Sequence, residues 1–111
     1  MNIYLYIDDI REDKTLFNQM REYTGMGQWI YIKCAHAEEA EWFLNYYNNS
    51  SDNFIIIDLD HDLGAKKSGY DICKYIVENH ISLLGFHIHS MNPVGVANMR
   101  QLLTHYGYRE I

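Results

Sequence analysis

In Ile55-Ile56-Ile57-Asp58-Leu59-Asp60-His61-Asp62-Leu63-Gly64 an apolar run breaks off into three carboxylates and an imidazole. A short apolar run bounded by turn formers reads as a buried strand, and packing alone gives no reason to stack negative charge at its end. Two other runs repeat the pattern. Ile3-Tyr4-Leu5-Tyr6-Ile7 leads into Asp8-Asp9, and Phe86-His87-Ile88-His89 leads into Ser90-Met91-Asn92-Pro93. In an open parallel sheet, ligands bind in the crevice outside the carboxyl ends of the strands, so the three ends are expected to face one site.

Hydrophobic periodicity and breakers extend this frame in both directions. Strands are expected at Asn2–Ile7, Trp29–Lys33, Phe54–Leu59 and Gly85–His89, with a last short one at Tyr108–Ile111. Helices are expected at Asp13–Tyr23, stopped by Gly25 and Gly27, at Ala37 to about Tyr47, at Tyr70–Asn79, and from Pro93 to about Tyr106. Ala40, Phe43, Leu44 and Tyr47 share one helix face, as do Ile72, Tyr75, Ile76 and Asn79. Strict alternation of strand and helix implies an α/β fold with a parallel sheet, right-handed crossovers and helices on both faces. The expected architecture is flavodoxin-like: a three-layer sandwich on a five-stranded parallel sheet in the order 2-1-3-4-5, its final helix missing.

The 111 residues, 48% of them hydrophobic, suffice for one core and are too few for two, so residues 1–111 are expected to be a single domain. Cys34 and Cys73 have neither a C-x-x-C spacing nor a leader before them and read as reduced, part-buried thiols of a cytoplasmic protein. No run nears the roughly 20 apolar residues a membrane span needs. The formal net charge of −6 argues against a track for duplex DNA, whose binding rests on Lys and Arg. A small or terminal phosphate stays compatible, because carboxylates that hold a divalent cation reverse the local field.

Asp8, Asp9, Asp60 and Asp62 supply hard oxygen ligands suited to Mg²⁺ or Mn²⁺. Asp58 shares strand parity with Asp60 and reads either as a supporting partner or as a buried, hydrogen-bonded acid. His61, between two acids, suits a general acid, a phosphate contact or a metal ligand. His89 ends its strand beside Ser90. His87 lies deeper and reads as a core histidine, while His36, His80 and His105 fall at helix ends and read as surface or capping residues. Asn92 and Pro93 suit the cap and first position of a helix. Gly95, inside that first turn, implies that something approaches the backbone there. Beside Ser90 and His89, such a helix start would form a phosphate cradle. Lys66 and Lys67 read as a solvated turn.

The acidic pair after the first strand, the Asp ending the third and the hydroxyl ending the fourth resemble the response-regulator receiver domain. The lysine that ordinary receivers carry after strand five has no counterpart in Tyr108-Arg109-Glu110-Ile111. A narrower resemblance lies in Asp9-Ile10-Arg11, Asp60-His61-Asp62-Leu63-Gly64, Gly69-Tyr70-Asp71, His89-Ser90-Met91-Asn92-Pro93-Val94-Gly95 and Asn98-Met99. Together these are similar to the cyclic-phosphate-processing receiver domains. That resemblance implies a receiver fold acting on cyclic phosphates such as RNA ends. It implies site residues Asp8, Asp9, Asp60, His61, Asp62, His89, Ser90, Asn92 and Asn98, the last as a phosphate contact beside Ser90 and Asn92.

The leading expectation is therefore a metal-dependent phosphodiesterase that opens a small cyclic nucleotide or a 2′,3′-cyclic phosphate at an RNA terminus. Asp9, Asp60 and Asp8 would hold the cation, His61 or His89 would protonate the leaving oxygen, and Ser90 and Asn92 would bind the phosphate. An attacking Asp60 carboxylate is an alternative within the same site. Two other readings are a non-catalytic phosphate- or nucleotide-binding module that switches a protein partner, and a factor that sequesters a cyclic nucleotide. The 14% aromatic content, with Trp29, Trp42 and Tyr46-Tyr47, would serve a partner surface or a homodimer.

Overall fold

Ile3, Leu5 and Ile7 alternate with Tyr4 and Tyr6 along the first strand, and all five are buried, as expected where both faces of a sheet are covered. The computed structural model describes residues 1–23, 25 and 27–111. The elements run β1 (Asn2–Ile7), α1 (Thr15–Tyr23), β2 (Trp29–Cys34), α2 (Ala37–Tyr47), β3 (Phe54–Leu59), α3 (Gly69–Glu78), β4 (Gly85–Ile88) and α4 (Pro93–His105). All strand pairs are parallel, in the order β2-β1-β3-β4. This is the receiver-like flavodoxin arrangement.

The two parities of the strands build two cores. Ile3, Leu5, Ile7, Ile55, Ile57, Leu59, Phe86 and Ile88 pack with Ala40 and Leu44 of α2, Ile72 and Ile76 of α3, and Met99 and Leu103 of α4. Tyr4, Tyr6 and Ile56 face the other way, onto Phe17, Leu16 and Met20 of α1. Cys34 and Cys73 are free and wholly buried. Burial pushes both thiols up to about 12, which makes them poor nucleophiles.

The fifth strand is a correction to the expectation. Tyr108–Ile111 runs beside β4 but makes an isolated parallel bridge, Phe86 to Glu110. Its backbone bonds are Phe86 N–H to Arg109 O at 2.9 Å and Ile111 N–H to Phe86 O at 2.8 Å. The segment leaves a turn at Gly107, whose φ is +86°, and meets β4 at Phe86 alone, although the other edge of β4 carries a four-residue ladder with β3. The side chains hold the segment instead, through Arg100 Nε to Glu110 Oε1 at 2.7 Å.

Helix ends follow local chemistry. The first helix starts at Thr15 rather than Asp13, because the Asp13 carboxylate accepts from the Thr15 N–H at 2.9 Å and from its hydroxyl at 2.6 Å, which is capping from outside the helix. Ser68 and Asp71 form a capping box at α3, and Asn92 caps α4 with Pro93 at its first position. Trp29 is buried, whereas Trp42 and Tyr46 of α2 are 60% and 58% exposed and stack at 5.3 Å. Among the described residues, no helix is long and apolar enough to cross a membrane.

Candidate functional site

Strand register builds the site. Ile7 pairs with Leu59, and Leu59 with Ile88, so the next residue on each strand is Asp8, Asp60 and His89. Backbone bonds carry the alignment one step further: Asp60 N–H donates to Ile7 O at 3.0 Å and His89 N–H to Leu59 O at 2.9 Å. In-register residues of parallel strands point to the same face about 4.8 Å apart. Asp8, Asp60 and His89 accordingly each offer a ligand atom within 4.8 Å of the others.

His89 organises the buried part. Its Nδ1 lies 2.5 Å from Asp58 Oδ1 and its Nε2 3.0 Å from Asp8 Oδ2, and Tyr6 stacks on the ring at 4.6 Å. Asp58 also accepts from the Tyr4 hydroxyl. Burial alone would lower the His89 pKa, but the hydrogen bonds and charges of Asp58 and Asp8 outweigh it and raise it above the ordinary histidine value. Burial likewise disfavours ionised Asp8. The amides of Arg11 and Ile10, at 2.8 and 2.9 Å from Oδ1, together with His89, still hold that carboxyl below its usual range.

Asp60 is the exception among these acids. Burial and the neighbouring Asp8 charge raise its pKa, against the opposing hydrogen bonds from the His61 N–H and the Ser90 hydroxyl. Asp8 and Asp60 are thus a like-charge pair, in which the charge of one makes the other a weaker acid. Asp9 stands at the mouth, and the loop after β3 packs over it: a Cβ on Gly64, whose φ is +62°, would meet Asp9 Oδ2 at 2.7 Å. The resulting open cleft has a volume of about 510 Å³, with Asp9, Asp60, Asp62, Ser90 and Arg11 in its lining.

The His61 ring lies on the backbone of α4, and a Cβ at Gly95 would meet its Cγ at 2.4 Å. This is the close approach that Gly95 implied. His61 Nδ1 bonds Asp62 Oδ1 at 2.8 Å, which holds the Asp62 carboxyl below its usual range. Asn92 accepts from the Gly95 N–H at 2.9 Å and donates to Asp62 at 3.3 Å. Asn92 is thus already engaged as a cap, and the Gly95 N–H is taken.

Asp8, Asp9, Asp60, Asp62 and Ser90 line one cleft, and His61 and Asn92 reach it through Asp62. Of the four acids expected to hold a metal, Asp8 and Asp60 lie close enough to share an ion, with His89 as the third group; Asp9 and Asp62 stand outside that cluster. The structure leaves Asn98 outside the cleft, in a separate groove with Tyr70 and His105. Lys67 pairs with Glu41 at 3.2 Å and does not line the acidic cleft. His87 is half-buried, with Nδ1 3.3 Å from Ile111 O, and His36, His80 and His105 are exposed. Sequence reasoning missed Arg11, the cation of the cleft, and Tyr4, the second partner of Asp58. A signal for the latter was present: polar groups recur at every second position of buried strands, as Tyr4, Tyr6, Asp8, then Asp58, Asp60, then His87, His89.

A parallel sheet in the order 2-1-3-4, with acids gathered at its carboxyl edge, defines a receiver-like α/β domain. Residues 3–105 match the model of the cyclic-phosphate processing receiver domain, and the chain belongs to that family. No curated protein and no solved structure matches it.

Proposed function

We propose that this chain is a divalent-metal-dependent phosphoesterase that opens a cyclic phosphate, either a small cyclic nucleotide or the 2′,3′-cyclic end of an RNA. The observation that carries the reading is the buried Asp8–Asp60 pair on the floor of a cleft that also holds Asp9, Ser90 and Arg11. The donor set fits a hard cation, since carboxylate oxygens dominate it, and Asp60, raised by burial and then by the neighbouring Asp8 charge, is the acid such a cation would favour in its ionised form. Mg²⁺ or Mn²⁺ on Asp8, Asp9 and Asp60 would supply Lewis-acid polarisation of the phosphoryl group and a more acidic water.

The chain's own groups divide the remaining work. Arg11, whose side chain is about half exposed, and the Ser90 hydroxyl bind non-bridging oxygens. With Nδ1 held by Asp62, His61 has Nε2 to donate a proton to the leaving ribose oxygen as water adds to phosphorus, the ester bond to that oxygen breaks, and the proton of the attacking water is lost to solvent. His89 has carboxylates on both ring nitrogens, so it positions Asp8 rather than delivering the proton.

The test is incubation with nucleoside 2′,3′-cyclic phosphates in Mg²⁺, Mn²⁺ or chelator, with products resolved by mass. Metal-dependent ring opening is expected, abolished in Asp60→Asn without loss of thermal stability. Full turnover in that variant would refute the assignment. A second reading, a binding module that presents a surface to a protein partner, is favoured by the exposed Trp42–Tyr46 stack on α2. Tight ligand binding without product would select it.

A further inference from the structure

A second groove lies between α3 and α4. It measures about 210 Å³ and is lined by Tyr70, Asn98, Gln101, Leu102 and His105. Tyr70 and Leu102 are half-buried and give it an aromatic wall and an apolar side, while Asn98 and Gln101 are exposed. Neither carboxamide has a hydrogen-bond partner among the described residues, so the fold makes no use of their donors and acceptors.

The groove adjoins the acidic cleft through His61. Gly69, the residue before Tyr70, packs on the Asp60 carbonyl, where a Cβ would come within 2.0 Å, and its N–H donates to His61 O at 2.8 Å. The His61 ring lies on Gly95, three residues and therefore about 4.5 Å of helix rise before Asn98. The Nδ1 of the same ring bonds Asp62 of the cleft. His61 thus touches both the turn of α4 that precedes Asn98 and a carboxylate of the phosphate end.

Resting on the cyclic-phosphate reading above, we propose that this groove seats the nucleobase of the substrate, which makes the ligand a nucleoside or terminal nucleotide rather than a bare sugar cyclic phosphate. A base needs a surface to stack on and an edge to pair with. Tyr70 supplies the first. Asn98 and Gln101 supply the second, since a carboxamide presents donor and acceptor side by side, the pattern that pairs with adenine. Recognition through one base and one phosphate also suits a chain of net charge −6, which lacks the cations to follow a longer backbone.

The probes are adenosine, adenosine 2′,3′-cyclic phosphate and methyl riboside 2′,3′-cyclic phosphate, which lacks a base, all with Mg²⁺ present. They are read by amide NMR and by KM, in the wild type and in Asn98→Ala/Gln101→Ala. Adenosine alone is expected to shift the Asn98 and Gln101 side-chain NH₂ signals and residues lining the groove. In the double variant the KM for the adenosine cyclic phosphate should rise about ten-fold, towards that of the base-free compound. If adenosine moves no groove signal, or if the two cyclic phosphates share one KM in the wild type, the base site is wrong. Ring opening of both with equal KM sinks this site alone. Adenosine binding in the groove with neither ring opened keeps the site and sinks the hydrolase reading.

Discussion

Replacing Gly95 with alanine separates the stability of the fold from the geometry of its site. The added Cβ would lie 2.4 Å from His61 Cγ and 2.5 Å from Cδ2. Carbon pairs rest at about 3.5–4.0 Å, so the ring must retreat by at least about 1.1 Å. It has room to do so, because the His61 side chain is 20% exposed and its bond to Asp62 lies at the surface. Gly95 sits within the first turn of α4, where alanine gains up to about 1 kcal/mol of helix propensity. Urea unfolding should therefore give a free energy within about 1 kcal/mol of the wild type. With His61 in its proposed role as proton donor, a displacement of about 1 Å costs on the order of 10²-fold in rate, so kcat for the proposed ring opening should fall about a hundred-fold. Adding His61→Ala to the variant should then cost little more. Turnover within two-fold of wild type would refute the role of the His61–Gly95 contact. A stability loss above about 3 kcal/mol would refute the claim that the ring can give way.

Gly69→Ala is the contrasting case, since its Cβ would sit 2.0 Å from the Asp60 carbonyl oxygen. Backbone must move there, and chemical denaturation should report a loss of about 3 kcal/mol or more. Asp58→Asn removes a buried carboxylate shared by His89 and Tyr4. It should cost about 3 kcal/mol and shift the His89 Nδ1 resonance; an unmoved resonance would contradict the pairing. For Asp71, the Ser68 backbone N–H bond, aided by Lys74 and opposed by burial, holds the carboxyl below its ordinary value. The associated stability is present above the unfolded pKa of about 3.9 and is lost as pH falls through the lower folded value. The unfolding-energy gap between wild type and Asp71→Asn should thus narrow between pH 5 and pH 3, and a gap unchanged by pH would exclude the linkage.

The parts of this molecule legible from sequence are those that strand chemistry dictates locally. Apolar runs that end in Asp8, Asp60 and His89 could be read because burial and charge conflict within a few residues of each other. Gly95 could be read because a glycine in a helix's first turn departs from propensity. What escaped depends on register and roll, which no local pattern encodes. Tyr4 reaches Asp58 only because β1 and β3 pair with Tyr6 opposite Asp58. Asn98 turns towards Tyr70 because Met99 and Leu103 bury the adjacent stripe of α4, which sets the roll of that helix. The last strand failed for a related reason: Tyr108–Ile111 carries an acceptable strand pattern, but whether it forms a ladder depends on how the turn at Gly107 sets it against β4.

The site's charge balance bears on the proposed chemistry. Asp8, Asp58 and Asp60 are all buried, and the imidazole facing this group is His89, both of whose nitrogens are committed to Asp8 and Asp58. The Arg11 and Ile10 amides, and after them the His89 ring that Asp8 shares with Asp58, keep Asp8 a strong acid despite burial. Asp60 accepts from neutral donors, the His61 amide and the Ser90 hydroxyl, feels the His89 charge more weakly than these, and has Asp8 as a repulsive neighbour. Such donors stabilise a carboxylate less than a counter-charge does, so the chain holds one buried acid whose ionisation it does not balance internally. That imbalance lies on the floor of the cleft rather than in the core, where a cation arriving from solvent would meet the Asp60 carboxylate with Asp8 beside it.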